Sequence, residues 1–304
     1  MAHDHSHSHS ISPRNFNAAF AIGIALNTAY VLFEAIFGVI GHSLALLADA
    51  GHNLSDVLGL LLAWAASAMS KSLPTKRRTY GLRGSSILAA LFNAIFLLVS
   101  VGAIVWEALR RFKAPADVAA TTIIWVSLLG IAINTGTALM FRSGRDRDLN
   151  IRGAFLHMAA DAAISTGVVI AGFAILWTGW HWIDPVMSLL ISAVIIWGTW
   201  DLLRESTNLA LQAVPRNIEP EKVERYLAQL PGVSRVHDLH IWAMSTTETA
   251  LTVHLVKPDG SIDDELLARV CDDLQHNFQI GHVTIQLECG SEAHPCKQAA
   301  DHAL

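Results

Sequence analysis

The sequence predicts a multi-pass α-helical membrane protein of six spans carrying a small C-terminal α+β domain in the cytosol. Three observations carry that expectation. Of 304 residues, 52% are hydrophobic and 15% charged, with a mean hydropathy of +0.40, whereas an ordinary soluble domain is about a quarter charged. The apolar residues gather in six stretches, at roughly 16–40, 44–70, 84–109, 118–141, 150–178 and 183–203, each able to supply the ~20 residues that cross hydrocarbon. After Arg204 the long apolar runs give way to short amphipathic segments.

Taken in order, residues 1–15 form a polar tail, expected to be disordered, with no apolar core or cleavage site of a signal peptide. It carries the alternating His3, His5, His7 and His9, a tract suited to loose metal capture. Residues 16–205 are the expected transmembrane domain. Its second-to-third connection holds Lys71, Lys76, Arg77, Arg78 and Arg83, and its fourth-to-fifth holds Arg142, Arg145, Arg147 and Arg152. The turns Gly41-His42-Ser43 and Gly179-Trp180-His181 have no Lys or Arg, and only Arg110, Arg111 and Lys113 break the trend. That asymmetry predicts both termini in the cytoplasm, with Trp180 and Trp182 at the opposite interface. Residues 206–290 read as helix, strand, strand, helix, strand. A helix starts at Pro220, LHIWAM and TALTVHLV follow as strands, Ser261 and Asp264 suit a capping box, and HVTIQLE closes the domain. On β-alternation, Leu251, Val253 and Leu255 share one face and Thr252 and His254 the other. Residues 291–304 are read as a flexible tail.

A net charge of −5 argues against nucleic acid as partner. Three cysteines, Cys271, Cys289 and Cys296, read as reduced thiols rather than a disulfide framework. The chemistry sits in one pattern written twice inside apolar stretches: His52-x-x-x-Asp56 and His157-x-x-x-Asp161. A four-residue spacing stacks imidazole and carboxylate one turn apart on one helix face. Ionisable groups in a span cost roughly 2.5–3.5 kcal/mol each on insertion scales and tend to line a site or pathway. Two imidazoles and two carboxylates match a tetrahedral zinc ion and neutralise its charge. The same groups also bind protons, as exchange of metal for protons requires. The plainer alternative is a pair of interhelical hydrogen bonds. Asn27, Glu34 and Asn93 suit such packing roles, and Asp49 either an approach group or a structural one.

The stretches SLALLADAGHNLSD, TYGLRGSSILAALFNA, LHMAADAAIS, WIDPVMSLLISAVII, VHDLHIWAMS and HVTIQLE, in that order, resemble the zinc-type branch of the cation diffusion facilitator family. The resemblance implies a homodimer with six spans and a metallochaperone-like αββαβ cytosolic domain. It implies export of Zn²⁺, and often Cd²⁺ or Co²⁺, against protons, with transport-site ligands at His52, Asp56, His157 and Asp161. It implies no catalytic cofactor and no enzyme activity. Zn²⁺ is then the transported substrate and a regulatory ligand, lipid the surroundings, and a bacterial inner membrane the location. This sequence departs from the family in having Ser86 where RxxEILAAL has glutamate, and in lacking His and Asp in the second-to-third loop.

In the cytosolic domain the resemblance supports metal binding at His237, His240 and His254 with Glu288, while Gln286 stands where some relatives have histidine. Exposed strand residues on a dimer surface are the alternative. Cys289, Cys296, His294 and His302 could bind metal from the tail, although the spacing is not C-x-x-C. Competing functions are a Co²⁺ or Ni²⁺ exporter of the same architecture, a membrane metal sensor that transports nothing, and an intramembrane zinc hydrolase. The last lacks an H-E-x-x-H motif.

Overall fold

A computed structural model describes residues 13–70, 74–114, 116–141, 149–261, 264–291 and 296–298. Within its helices, the side chains of 13–24, 56, 59–60, 62–68, 70, 141 and 149–154 lie outside the description. The His3, His5, His7 and His9 tract, His294 and His302 also lie outside the described residues. Two compact units emerge, one from the described residues up to Leu60 with Asn93–Trp200, the other from Leu61–Phe92 with the described residues from Asp201 onward.

Six long helices occupy the six apolar stretches: α1 (Pro13–Ile40), α2 (Leu44–Ser70), α3 (Ser85–Arg111), α4 (Ala120–Phe141), α5 (Leu149–Thr178) and α6 (Ile183–Ala210). The shortest has 22 residues, a rise of about 33 Å, enough for a ~30 Å hydrocarbon layer. Among the described residues, α3, α4, α5 and α6 are long and apolar enough to cross a membrane, and Ala25–Ile40 is a shorter apolar piece. Burial runs opposite to that of a soluble bundle. Trp177 and Trp197 are more than four-fifths exposed (81% and 84%), while Glu34, Asp49, Ser127, Asn134, Asp161, Ser165 and Asp184 are buried. Apolar side chains facing outward and polar ones inward suit lipid as the solvent. The interior between the polar groups is filled by Tyr30, Leu46, Leu97, Val101, Ile123 and Val168, among others.

The α1–α2 turn is tight because the chain passes through a left-handed residue, His42 (φ 51°), with the Ser43 amide donating back to the Gly38 carbonyl at 3.0 Å. A Cβ at Gly41 would lie 2.9 Å from the Phe37 carbonyl oxygen, so only glycine fits there. At the other end, α6 continues to Ala210, well past the apolar stretch that ends near 203. Its polar last turns contain no helix breaker, and the helix stops where Gln212 adopts φ 63° and Ala213 donates to the Asn208 carbonyl.

In the second unit α7 (Pro220–Ala228), β1 (Arg235–Ala243), β2 (Thr249–Val256), α8 (Asp264–Phe278) and β3 (His282–Glu288) follow the expected αββαβ order. The sheet order is β1-β2-β3, with β1 antiparallel and β3 parallel to β2. The parallel pair requires a crossover, and α8 is that crossover. Val223 and Leu227 of α7 and Leu266, Val270 and Leu274 of α8 pack on Ile241, Leu251, Val253 and Leu255, making two layers. Ser261 serves the turn before α8, bonding Asp259 and Lys257. In the same unit, the connection between α2 and α3 meets the sheet. Arg83 pairs with Glu248 at 3.3 Å, the Thr246 amide donates to Ser86 Oγ at 3.1 Å, and Tyr80 stacks edge-on against His282 at 5.4 Å.

Candidate metal sites

In the helical unit, α5 carries His157 and Asp161 one turn apart, and α2 brings His52 to the same place from the facing helix. Asp161 is 1% exposed and lies between the two imidazoles: His52 Nε2 to Oδ1 is 3.7 Å and His157 Nε2 to Oδ2 is 3.7 Å. The rings are 6.0 Å apart and nearly perpendicular. Among the described residues neither Asp161 oxygen has a hydrogen-bond partner. A separation of 3.7 Å is long for a hydrogen bond. It is close to the ~3.4 Å between two ligands of one tetrahedral zinc with bonds near 2.1 Å. Asp56 stands on α2 one turn after His52, and its side chain lies outside the described residues.

What fixes α2 is a residue that motif reading passed over. Asp184, at the start of α6, accepts from Ser43 Oγ (2.5 Å), the Leu44 amide (2.8 Å) and the Ala45 amide (3.3 Å). It therefore caps the N-terminus of the helix that bears His52. Arg111 Nη1 lies 3.6 Å from Asp184 and donates to the His42 carbonyl. WIDP carried a family resemblance, but nothing local in the sequence tells that its aspartate caps a helix about 140 residues away.

The second site is in the sheet. His237 pairs with His254 across β1 and β2, and His240 with Thr252, so β1 spends two residues, Asp238 and Leu239, against the single Val253. This is a β-bulge, with Asp238 at φ 51°. Plain alternation would send His237 and His240 to opposite faces, and the extra residue turns both to the polar face with His254. Parallel pairing then sets Glu288 beside the same strand end, opposite Val256. Glu288 spans both rings: Oε2 is 3.2 Å from His237 Nε2 and Oε1 is 2.9 Å from His254 Nδ1. Cys296 Sγ comes within 3.5 Å of His254 Nδ1.

His237, His254, Glu288 and Cys296 thus present four ligand atoms, all within 4.8 Å of one another. Two nitrogens, an oxygen and a sulfur form a donor set suited to zinc. His240 stands outside this group. It is 43% exposed and bonds Asp238 Oδ1 at 3.1 Å, while Asp238 Oδ2 lies 3.5 Å from His254 Nε2. Asp238 was missed in the sequence, its one signal being an acid between histidines in VHDLH. Cys296 was readable only as a weak tail motif. Burial pushes the Glu288 carboxyl up, but hydrogen bonds from Cys296 and Gln286 and the nearby His254 and His237 outweigh it and leave it below the usual carboxylate range. The Cys296 thiol is raised, chiefly by its hydrogen bond to Glu288.

A helical bundle with a polar interior, joined to a small αββαβ domain, defines an integral membrane protein of the transporter class, and sequence comparison places it. Residues 20–209 match the cation efflux transmembrane domain and residues 215–289 the cation efflux protein cytoplasmic domain, a dimerisation domain by its name. The chain belongs to the cation diffusion facilitator family of cation efflux proteins. It is 38% identical over 301 residues to the metal cation efflux system protein CzcD of Cupriavidus metallidurans, covering 98% of this chain and 93% of that one. It is 36% identical over 293 residues to the zinc transporter ZitB of Escherichia coli, covering 95% and 93%. It is 34% identical over 278 residues to the cadmium, cobalt and zinc/H(+)-K(+) antiporter of Bacillus subtilis, covering 90% and 88%. The metal-bound C-terminal domain of the CzcD transporter from Cupriavidus metallidurans matches 23% of this chain and 99% of its own at 40% identity, with a TM-score of 0.21.

Proposed function

We propose that this protein exports divalent cations from the cytoplasm, zinc foremost and cadmium or cobalt besides, in exchange for protons. The observation that carries the reading is Asp161, buried between His52 and His157 at ligand-to-ligand distances with no hydrogen-bond partner among the described residues. With Asp56 as fourth ligand the set is His₂Asp₂, whose two carboxylates neutralise a dication. Protons compete for the same four groups, and access to the site alternates between the two sides as the bundle rearranges around it. The relatives' names, a zinc transporter and an H(+)-K(+) antiporter of cadmium, cobalt and zinc among them, support the substrate class.

In this reading the transport domain is residues 16–205, the regulatory and dimerisation domain 206–290, and both termini are cytoplasmic in a bacterial inner membrane. Two copies pair through the cytosolic domains, and the cluster at His237, His254, Glu288 and Cys296 binds metal to sense cytosolic load. No enzymatic reaction and no nucleic acid is involved. The test is zinc-driven proton flux in proteoliposomes. Asp161→Ala and His157→Ala are expected to abolish flux, and unaltered flux in Asp161→Ala overturns the assignment. A protein that binds metal yet moves none in any variant or in wild type is instead a membrane sensor.

A further inference from the structure

Next to the metal site, on the side of the α1–α2 turn, two more buried acids face each other. Glu34 of α1 and Asp49 of α2 are both 0% exposed, and their carboxyl groups lie within hydrogen-bond reach of one another. Tyr30 donates its hydroxyl to Glu34 Oε1 at 2.9 Å, and Ser165 of α5 donates to Asp49 Oδ2 at 3.2 Å. The Tyr30 and Ser165 hydroxyls are themselves neighbours in a slot opened on α4 by Gly130, where a Cβ would sit 2.2 Å and 3.2 Å from their oxygens. The four side chains close a ring: Glu34, Tyr30, Ser165, Asp49 and back to Glu34.

The ring has fewer hydrogens than acceptors. The two hydroxyls supply one each, and both are spent. Glu34 Oε2 and Asp49 Oδ1 are buried and have no partner among the described residues. Both are pure acceptors unless a hydrogen lies between them. The Asn53 amide of α2, also buried, points toward Glu34 without making a hydrogen bond of ordinary geometry. Two neighbouring carboxylates that are both fully buried repel, so that one of them binds a proton unless a further charge offsets the repulsion.

We infer that the ring holds a titratable proton between Glu34 and Asp49, and that this proton is exchanged for metal although neither residue is a metal ligand. The inference rests on the exchange reading above. The groups around the two acids are Tyr30 from α1, Asn53 from α2 and Ser165 from α5, with the Val126 carbonyl of α4 beside the Tyr30 hydroxyl and the charges of His52 and Asp161 acting on Asp49. Asp49 lies one turn before His52 on α2 and feels the charges of His52 and Asp161. A dication arriving between His52 and Asp161 therefore lowers the ring's hold on its proton, which leaves. When the metal departs the proton returns. Metal and proton exclude each other through the field, a short distance apart, without sharing a ligand.

Glu34→Gln tests this because the glutamine amide offers Asp49 a permanent hydrogen in place of the titratable one. The readouts, on full-length protein in detergent, are zinc affinity against pH and protons released per zinc bound. Wild type and Glu34→Gln are compared, with Asp49→Asn as the mirror variant. The expected result is that zinc still binds, about one proton fewer is released per zinc, and the gain in affinity per pH unit falls about tenfold. The wild-type proton count in both variants overturns the inference. So does loss of zinc binding in both, which would make these acids ligands or packing groups. If wild type releases no protons on binding zinc and couples none in vesicles, the exchange reading itself fails, a result distinct from either.

Discussion

Asp184→Ala isolates how firmly α2 must be held for His52 to meet Asp161. Asp184 is 1% exposed, and its two oxygens take three donors, one from Ser43 and two from the first turn of α2, and face the Arg111 guanidinium. Loss of an N-cap costs about 0.5–2 kcal/mol. Loss of one partner of a buried ion pair costs about 3–5 kcal/mol. The two overlap, because the same carboxylate performs both, so the expectation is about 3–5 kcal/mol rather than the sum. Glu107 and the His42 carbonyl retain part of the hold on Arg111, which favours the lower end. Asp184→Asn keeps one acceptor and the shape, and should lose less, about 1–3 kcal/mol. The assay is denaturant-induced unfolding in detergent, with zinc titration of the folded fraction. Folded Asp184→Ala should bind zinc more weakly, since a frayed α2 loosens His52. Unfolding within about 0.5 kcal/mol of wild type would refute the capping argument, being the scatter of ordinary surface changes.

Two further expectations concern the sheet site. Cys296→Ser should weaken metal at the cytosolic cluster by about 10–100-fold, with cadmium suffering more than zinc because thiolate is the soft ligand. A wild-type cadmium complex without a thiolate-to-metal charge-transfer band would show that the thiol is not a ligand. For Glu288, folding holds the carboxyl below its unfolded value of about 4.3. Its stabilisation is therefore complete above that pH and is lost as pH falls through the lower folded value. Thermal unfolding in chelator should show the gap between wild type and Glu288→Gln narrowing below about pH 4. A gap constant with pH would contradict the ion-pair geometry.

The helices were legible because hydropathy alone sets where a chain can cross lipid, and α1 to α5 begin and end within a few residues of the apolar stretches. Where composition turns polar that signal is silent, so the last turns of α6 were unreadable. The His52 and His157 convergence was legible from two identical spacings. The sheet site was legible only in part, since a bulge breaks the period that pattern reading assumes. Asp238 adds a residue, and with it His237 and His240 come to one face while only His237 reaches the cluster. Cys296 and Asp184 act across long sequence separations, 42 residues to His254 and 141 to Ser43, and no local pattern encodes such partnerships. Glu34 read in the sequence as a packing group and Asp49 as an approach or structural one, and no local pattern shows that Tyr30 and Ser165 link them, because the partners come from three different helices.

The grip of the α2–α3 connection on the sheet has a consequence for anyone recombining these proteins. Tyr80, Arg83 and Ser86 precede or open α3, yet their partners Glu248, Thr246 and His282 come from the far end of the chain. The C-terminal domain is therefore not a cassette bounded by its linker. A chimera cut near residue 210 would graft a foreign sheet onto a connection shaped for another surface, and Ser86 would face an unmatched turn in place of Thr246. The unit to be exchanged includes the stretch around 80–86, and a working chimera has to carry it along.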